Sequence, residues 1–252
     1  MANIVRLDPW QRFRRFTPAR IALGCAGSSM PTAELLRFGL AHAEARDAVH
    51  LPLDIAALEE GLRAASYRTL RVHSRAPDRA TYLLRPDLGR RLADDSAALL
   101  SGQAQASNGS DILFTVADGL SPIAVQRHAL PLLQSVEPLL PAEWSLSPVV
   151  IAEQSRVALG DEIGELLDAK MVVILIGERP GLSSPDSLGI YLTFAPKIGR
   201  TDAERNCISN IRPEGLNYAS AAKKLVWLLG EARRRQLSGV LLKDTSESLE
   251  LK

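Results

Sequence analysis

Residues able to bind or act on a ligand occur at three places along the chain. Residues 118–121 (DGLS) follow the apolar run ILFTVA, and residues 177–181 (GERPG) follow MVVILI. The third place is the segment 207–210 (CISN). In an open parallel sheet, ligands bind beyond the carboxyl ends of the strands, where loops and helix starts converge. This rule predicts that the three segments border a ligand site.

The GERPG segment has the strongest signal for ligand binding. Its two glycines and its proline restrict the loop to a tight path, which allows the backbone to approach a flat cofactor closely. A strand-to-helix turn in which Glu178 and Arg179 are simply exposed or paired is an equally open interpretation. The glycine spacing matches neither GxGxxG nor a Walker loop, which argues against conventional dinucleotide or triphosphate binding.

Ser121 and Cys207 each allow a functional and a structural interpretation. Ser121 follows Asp118 and Gly119 at a predicted helix start, where a serine either donates to a phosphate or, more often, caps the helix. Cys207 could be a nucleophile or a ligand contact, but free cysteines are commonly small buried hydrophobes. On pattern alone we favour the structural interpretation of both.

The four histidines indicate neither a metal site nor a hydrolase. They show no HExxH spacing and no Cys/His cluster of the kind that binds zinc. No GxSxG elbow accompanies them, so a Ser-His-acid hydrolase lacks its sequence cue, although triads can assemble from distant positions. These residues are His42, His50, His73 and His128.

Composition and charge exclude several classes of protein. The chain has 252 residues and a formal net charge of +1, so no overall field attracts nucleic acid. The basic cluster at 233–235 ends a predicted helix, where it complements the helix dipole. Cys25 and Cys207 lie far apart and form no disulfide framework, which fits a reducing cytoplasm. No apolar stretch is long enough for a bilayer and no signal core is present, so we expect a soluble cytoplasmic protein.

Residues 1–105 are predicted to form a mainly helical N-terminal region. Helices are expected over about 31–46, 54–65 and 87–100, where proline or aspartate precedes runs typical of helices. The pieces TLRVHS and TYLLR are predicted to be extended. The small polar stretch SGQAQASNGS interrupts every periodic pattern and marks the boundary.

Residues 106–252 are predicted to form a Rossmann-like α/β domain. Short apolar runs alternate with helices there, which is typical of parallel strands covered on both faces. The fold class is therefore α/β, a Rossmann-like parallel-sheet layer preceded by the helical region. Strands are predicted at ILFTVAD, PVVIAEQ, MVVILIG, LGIYLTFAP and GVLLK, and helices after Ser121, in VALGDEIGELLDA and over about 218–235.

A long part of the chain resembles the ethanolamine ammonia-lyase small-subunit family. The resemblance is closest from residue 156 to residue 211, especially in GERPGL, DSL and CISNI. LLRF, YLLRPDLGRRL and VADGLS upstream resemble the family's segments in the same order. The resemblance as a whole extends from about residue 19 to residue 241.

The resemblance implies one subunit of an adenosylcobalamin-dependent enzyme that converts ethanolamine to acetaldehyde and ammonia by radical chemistry. The large subunit would bind substrate, and this chain would cover one side of the cobalamin at the subunit interface. Val157, Glu178 and Cys207 would then contact the cofactor, and none of them would act as a general acid or base. The chain has no DxHxxG motif, so the cofactor is expected to keep its own benzimidazole on cobalt, in the base-on form.

The resemblance also implies a hetero-oligomer in which the N-terminal region makes subunit contacts. Family members often carry a longer N-terminal extension, associated in some with packaging into a bacterial microcompartment. Here about twenty residues precede the matching region. Trp10, Phe13 and Phe16 are spaced like one apolar helical stripe, and Pro9 and Pro18 confine any such helix to about two turns.

Two other functions remain as alternatives. A self-sufficient α/β enzyme, such as a nicotinamide-dependent oxidoreductase, would use the same strand edges and would be active as an isolated chain. A non-catalytic scaffold with a vestigial α/β layer would not respond to cobalamin.

Overall fold

The computed structural model describes residues 5–104 and 109–246. Its strands are β1 (Val5–Arg6), β2 (Cys25–Ala26), β3 (Thr69–His73), β4 (Ser110–Ala117), β5 (Val149–Glu153), β6 (Ala169–Gly177), β7 (Leu188–Phe194) and β8 (Arg205–Ile211). Its α-helices are α1 (Thr32–His50), α2 (Ile55–Ala64), α3 (Arg79–Leu84), α4 (Asp94–Ala104), α5 (Pro122–Val136), α6 (Leu159–Leu166) and α7 (Tyr218–Arg235). Short 3-10 helices are Pro9–Phe16, Leu88–Arg90, Glu137–Leu139, Asp202–Glu204 and Gly239–Leu241.

The main sheet has six strands in the order β3-β5-β4-β6-β7-β8. The first four are parallel, whereas β7 is antiparallel to both β6 and β8. Residues 178–187 connect β6 to β7, and a connection of this length is too short for a crossover helix. The α/β prediction is therefore confirmed for a mostly parallel sheet, and it was wrong in expecting β7 to run parallel.

The sheet is covered on both faces, which explains the continuous apolar runs in its central strands. Every residue of β4 is buried, and Lys170 is the single exposed residue of β6. Helices α5 and α7 pack on one face through residues such as Leu132 and Leu225. Helices α4 and α6 pack on the other through residues such as Leu100 and Ile163. Within the described residues, no helix is long and apolar enough to cross a membrane.

Several predicted elements of the N-terminal half are confirmed and two are wrong. Helices α1 and α2 lie where expected, and Asp54 caps α2 by accepting from Ala57 N at 3.0 Å. TYLLR is helical, because Asp78 accepts from Thr81 N at 2.7 Å and starts α3. The helix expected from residue 87 begins only at Asp94.

The late start of α4 follows from the chain segment before it. Ala93 donates its N–H to the carbonyl of His73 at 3.1 Å, and Arg75 donates to the carbonyl of Arg91 at 2.9 Å. These backbone groups pair with the end of β3 and the residues that follow it, so they are not free to form a helical turn.

The last predicted strand, GVLLK, contains a 3-10 helix at Gly239–Leu241. Backbone groups in and next to this helix form hydrogen bonds with one side chain of β8. Asn206 accepts from Gly239 N at 2.8 Å and donates to the carbonyl of Leu242 at 2.7 Å. The sheet therefore ends at β8, whose mixture of polar and apolar residues gave no strand signal.

The sheet includes strands from both sides of the predicted boundary between residues 105 and 106. Strand β3 lies before that boundary and pairs with β5, from Thr69 opposite Val149 to His73 opposite Glu153. Residues 105–108, within the predicted boundary stretch, lie outside the described residues. The division into two domains stays a prediction.

Candidate functional site

Two of the three predicted segments are pressed together at the carboxyl ends of β4 and β6. Leu120 N donates to the carbonyl of Gly177 at 2.9 Å. Gly119 has φ of +59°, and a Cβ added to it would lie 2.3 Å from the Gly177 oxygen. A Cβ at Gly177 would lie 2.1 Å from the Ser121 oxygen. Only glycine allows this approach, which supports the prediction that the two segments border one site.

Asp118 is the buried anchor of this edge. Its carboxylate accepts from Gly119 N at 2.8 Å, from Gln154 N at 2.9 Å and from Ser155 N at 2.9 Å. Burial raises the pKa of Asp118 to about 6, although these hydrogen bonds and the guanidinium of Arg79 act to lower it. The bonds hold the turn after β5, which leads directly to Val157.

A stack of three side chains supports the same turn. The Tyr82 ring lies 4.8 Å from the guanidinium of Arg79 and 4.2 Å from that of Arg156. The Tyr82 hydroxyl donates to the Ser155 carbonyl at 3.1 Å. Arg79 donates to the Gly119 carbonyl at 2.7 Å, so it joins the stack to the glycine edge. The stack therefore fixes the position of residues 154–157 relative to that edge.

Val157 and Glu178 line one cavity of about 420 Å³ at this edge, together with Tyr82, Gly119, Gly177 and Tyr191. The structure thus brings together two of the three predicted site residues. Val157 lies in the turn before α6, and Glu178 is the first residue after β6.

Glu178 is held in place by hydrogen bonds rather than by an arginine. Its Oε2 accepts from the Ser187 hydroxyl and, at 3.2 Å, from Asn210 N. Within residues 5–104 and 109–246, no donor reaches its Oε1. Gly189 leaves room for this carboxylate, since a Cβ there would lie 3.0 Å from Oε1. Arg179, its neighbour, is exposed.

Cys207 lies on strand β8 rather than in a loop, and its side chain is exposed. The interpretation as a small buried hydrophobe was therefore wrong, because β8 is an edge strand with one open side. Cys207 is paired in register with Tyr191, so the two side chains lie on the same face of the sheet. Burial and the neighbouring Cys207 raise the pKa of Tyr191. Tyr191 thus connects Cys207 to the cavity.

The remaining sequence candidates have structural roles. Ser121 caps α5 by accepting from Ala124 N at 3.4 Å and donates to the Pro185 carbonyl at 2.8 Å, which confirms the cap. His128 is buried beside the Tyr218 hydroxyl at 2.7 Å, and burial lowers its pKa. In the described part of the chain, no group of three His, Cys, Asp or Glu side chains is arranged to hold a metal ion.

A second cavity, of about 760 Å³, adjoins the first and was missed by sequence reasoning. The two share Arg156, Val157 and Tyr191. Its wall is rich in arginine, but the arginines come from distant segments and no local motif connects them. They are Arg90, Arg91, Arg156, Arg200 and Arg205.

Comparison with known proteins identifies close relatives over nearly the whole chain. The family described as "Ethanolamine ammonia-lyase light chain (EutC)" matches residues 7–243. A protein named ethanolamine ammonia-lyase small subunit from Azotobacter vinelandii is 63% identical over 242 residues, covering 95% of this chain and 90% of the relative. Proteins of the same name from Ralstonia nicotianae and Pseudomonas fluorescens are 61% and 60% identical, covering 96% and 95% of this chain and 91% and 88% of the relatives.

Proposed function

The chain belongs to the ethanolamine ammonia-lyase light-chain family, and we propose that it is the small subunit of an adenosylcobalamin-dependent ethanolamine ammonia-lyase. Together with a large subunit it would convert ethanolamine to acetaldehyde and ammonia. The observation that carries the cofactor role is the meeting of Val157 and Glu178 in one cavity at the carboxyl edge of the sheet, with Cys207 next to it on β8.

The residues present fit one side of a corrinoid. A corrin ring is flat and bears amide groups along its rim, so a complementary surface needs close backbone approach and hydrogen-bond acceptors. Gly119 and Gly177 lie in the cavity wall without side chains and provide the first, and Oε1 of Glu178, which no donor reaches within the described residues, provides the second. The cavity is too small to enclose a whole cobalamin, which agrees with a surface that is completed by the large subunit.

The roles of this chain's residues are binding and orientation. The cofactor, when bound, supplies radical chemistry through homolysis of its cobalt–carbon bond. Glu178 would accept hydrogen bonds from corrin amides, while Val157 and Cys207 would supply apolar contact. Asp118 and the Tyr82 stack would keep Val157 in position. No residue of this chain is proposed as a general acid or base.

The base-on form is also a proposal. Among the described residues that line the two cavities, none is a histidine. The protein thus offers cobalt no imidazole there in place of the cofactor's own benzimidazole.

The N-terminal region provides a surface for the large subunit. Residues 7–40 include exposed large apolar side chains, and we call seven of them, on the first short helix, the residues next to it and α1, the N-terminal apolar surface. Arg14 joins the first short helix to α1 through an ion pair with Glu34 at 3.2 Å, and Arg20 donates to the Leu182 carbonyl, in the β6–β7 loop, at 3.2 Å. The chain that carries this surface is therefore hydrogen-bonded to the loop that follows Glu178. Its members are Leu7, Trp10, Phe16, Leu35, Leu36, Phe38 and Leu40.

The decisive experiment measures ethanolamine-dependent acetaldehyde formation with adenosylcobalamin. It compares this chain alone, the large subunit alone and the two copurified. We expect activity only in the mixture. Acetaldehyde formation by this chain alone would favour a self-sufficient enzyme. A stable complex that does not respond to added cobalamin would favour a non-catalytic scaffold.

A cofactor-binding variant tests the site separately from activity. Glu178→Gln removes the carboxylate charge while keeping the shape of the side chain. We expect about tenfold weaker cobalamin binding to the copurified complex. Glu60→Gln, the same change at an exposed position on α2, should leave the affinity unchanged.

The cytoplasm, and in some organisms a microcompartment within it, is the proposed location. Cys25 and Cys207 are both free thiols, which suits a reducing compartment.

A further inference from the structure

Residues 185–187 close the loop between β6 and β7, and helix α5 holds two of them in place. The Pro185 carbonyl accepts from the hydroxyl of Ser121, the cap of α5, at 2.8 Å. The Asp186 carboxylate accepts from the guanidinium of Arg127, on the same helix, at 2.8 Å. The first half of α5 therefore fixes the path by which the loop enters β7.

Ser187, the third residue of this segment, joins it to Glu178. The Ser187 hydroxyl donates to Oε2 of Glu178, and the Ser187 carbonyl accepts from Glu178 N at 2.9 Å. Asn210 N is a second donor to the same oxygen, at 3.2 Å. The last torsion of a glutamate side chain has no sharp preference of its own, so these two donors set the rotation of the carboxylate. The direction in which Oε1 points thus depends on where Ser187 lies.

Asp186 is the charged residue of this segment, and its side chain is 16% exposed. Besides Arg127 it faces the buried His128, whose Nε2 lies 3.5 Å from its Oδ2. Nδ1 of His128 lies 2.7 Å from the hydroxyl of Tyr218, at the start of α7. Burial lowers the pKa of His128, so Arg127 is the charged partner of Asp186 at neutral pH. These contacts connect the loop to α5 and, through His128, to α7.

The pair of Asp186 and Arg127 lies outside the surface that a ligand would touch. Neither residue is among the described residues that line the two cavities at the carboxyl edge of the sheet. The Arg127 side chain is 55% exposed, and an ion pair with so exposed a partner adds little to stability. The main effect of the pair is therefore to fix the geometry of the adjacent loop.

We propose that Asp186 is a positioning residue for Glu178 and acts on it through Ser187. Its bond to Arg127 fixes the return of the loop, and the Ser187 hydroxyl then directs the Glu178 carboxylate. This role rests on the proposed function, in which Glu178 contacts the cofactor. The segment DSL at residues 186–188, which the cofactor contacts do not include, is thereby given a role at the site.

A double-mutant cycle tests whether Asp186 acts through Glu178. Asp186→Asn keeps the size of the side chain and removes the charge that holds Arg127. The affinity of the complex copurified with the large subunit for hydroxocobalamin is measured by equilibrium dialysis. We expect Asp186→Asn to weaken binding about fivefold in the wild-type background and less than about twofold in the Glu178→Ala background, where the positioned group is absent.

Arg127→Gln releases Asp186 without a change in the loop itself, because Arg127 is an exposed residue of α5. We expect the same dependence on Glu178 for this variant. Glu231→Gln is the matched control, since Glu231 on α7 is also a partly buried carboxylate bonded to an exposed arginine, Arg234, at 2.6 Å. It lines neither cavity, and its substitution should leave the affinity unchanged in both backgrounds.

Hydrogen exchange gives a readout that needs no cofactor. Glu178 N is protected by its bond to the Ser187 carbonyl, so this amide should exchange faster when the return of the loop is released. Deuterium uptake by peptides that cover residues 178–187 is measured on the copurified complex without cobalamin. We expect faster uptake there in both loop-releasing variants than in the wild type and in the control.

Three results would overturn this role of Asp186. A loss of affinity of the same size in both backgrounds would mean that Asp186 supports the complex without acting through Glu178. An unchanged affinity in the wild-type background would remove Asp186 from the site, and faster exchange without a loss of affinity would limit it to the structure of the loop. If the wild-type complex does not bind hydroxocobalamin at all, the proposed function itself fails, and the positioning role fails with it.

Discussion

The central strands of the sheet and helix α1 of the N-terminal region differ in how far their apolar side chains are buried. In β6 every residue except Lys170 is buried, whereas in α1 only Glu34, Ala41 and Ala48 are. Leu36 on α1 is 68% exposed, and Leu113 on β4 is completely buried. The strands of the sheet are covered by other parts of the chain, whereas α1 presents several large apolar side chains to solvent.

The largest effect should come from removing a buried side chain of the sheet. Leu113→Ala leaves a cavity in the core between β4 and α6, and we expect a loss of about 3 to 4 kcal/mol in the free energy of unfolding. Leu36→Ala in α1 should change it by less than about 0.5 kcal/mol. Urea denaturation of the isolated chain measures both. Similar losses at the two positions would contradict the contrast between the regions.

The buried carboxylate of Asp118 should make the stability of the sheet region depend on pH. The pKa of Asp118 is raised to about 6 in the fold from an ordinary value of 3.8, so the folded protein binds this proton more tightly than the unfolded chain. Its contribution to stability is present below about pH 4 and is lost as the pH rises to about 6. One pKa unit corresponds to about 1.4 kcal/mol, which makes the contribution about 3 kcal/mol.

The measurement compares unfolding free energies of wild-type protein and Asp118→Asn between pH 4 and pH 7. The groups with lowered pKa values, such as Asp111 at about 2, occur in both proteins and cancel in the difference. We expect the difference to change by about 2.5 kcal/mol across this range, because pH 4 is already close to the ordinary pKa of the unfolded group. Parallel profiles would show that Asp118 stays ionised throughout.

The N-terminal apolar surface should matter for assembly more than for folding. Leu36→Glu places a charge on that surface, and we expect at least about tenfold weaker association with the large subunit, with an unchanged unfolding transition. Leu139→Glu is the control, because Leu139 is also exposed but lies outside the surface. Association is measured by titrating the labelled large subunit. Equally weakened association in both variants would show that the N-terminal apolar surface is not the specific contact for the large subunit.

The smallest expected change in stability comes from glycine substitutions at two residues with positive φ, one in each region, and it should be the same for both. Gln236 ends α7 with φ of +55°, and Ala22 has φ of +52°, a conformation that glycine adopts without strain. We expect Gln236→Gly and Ala22→Gly each to stabilise the chain by about 0.5 to 1 kcal/mol, because the effect depends only on local backbone geometry. Thermal unfolding measures both changes. A gain in one region alone would mean that packing, rather than backbone conformation, controls these positions.

Part of the candidate site was predictable because it depends on chain order. A strand that is buried on both faces must be apolar throughout, so ILFTVA and MVVILI revealed β4 and β6 directly. Their carboxyl ends then located residues 118–121 and Glu178 at one edge of the sheet. Val157 came from the family resemblance alone, whereas Cys207 lies in a segment that both the strand-edge rule and the family motif CISNI selected.

The sequence by itself thus determined the central strands, the long helix α7, the cap at Ser121 and the family, because each depends on residues close together in the chain. Only the tertiary structure decided that β7 is antiparallel, that Cys207 lies on an edge strand, and that Asp118 meets the turn after β5. It also decided that arginines from separate segments line one cavity. These arrangements result from packing between segments that are distant in sequence, and such contacts leave no periodic pattern for a single chain to display.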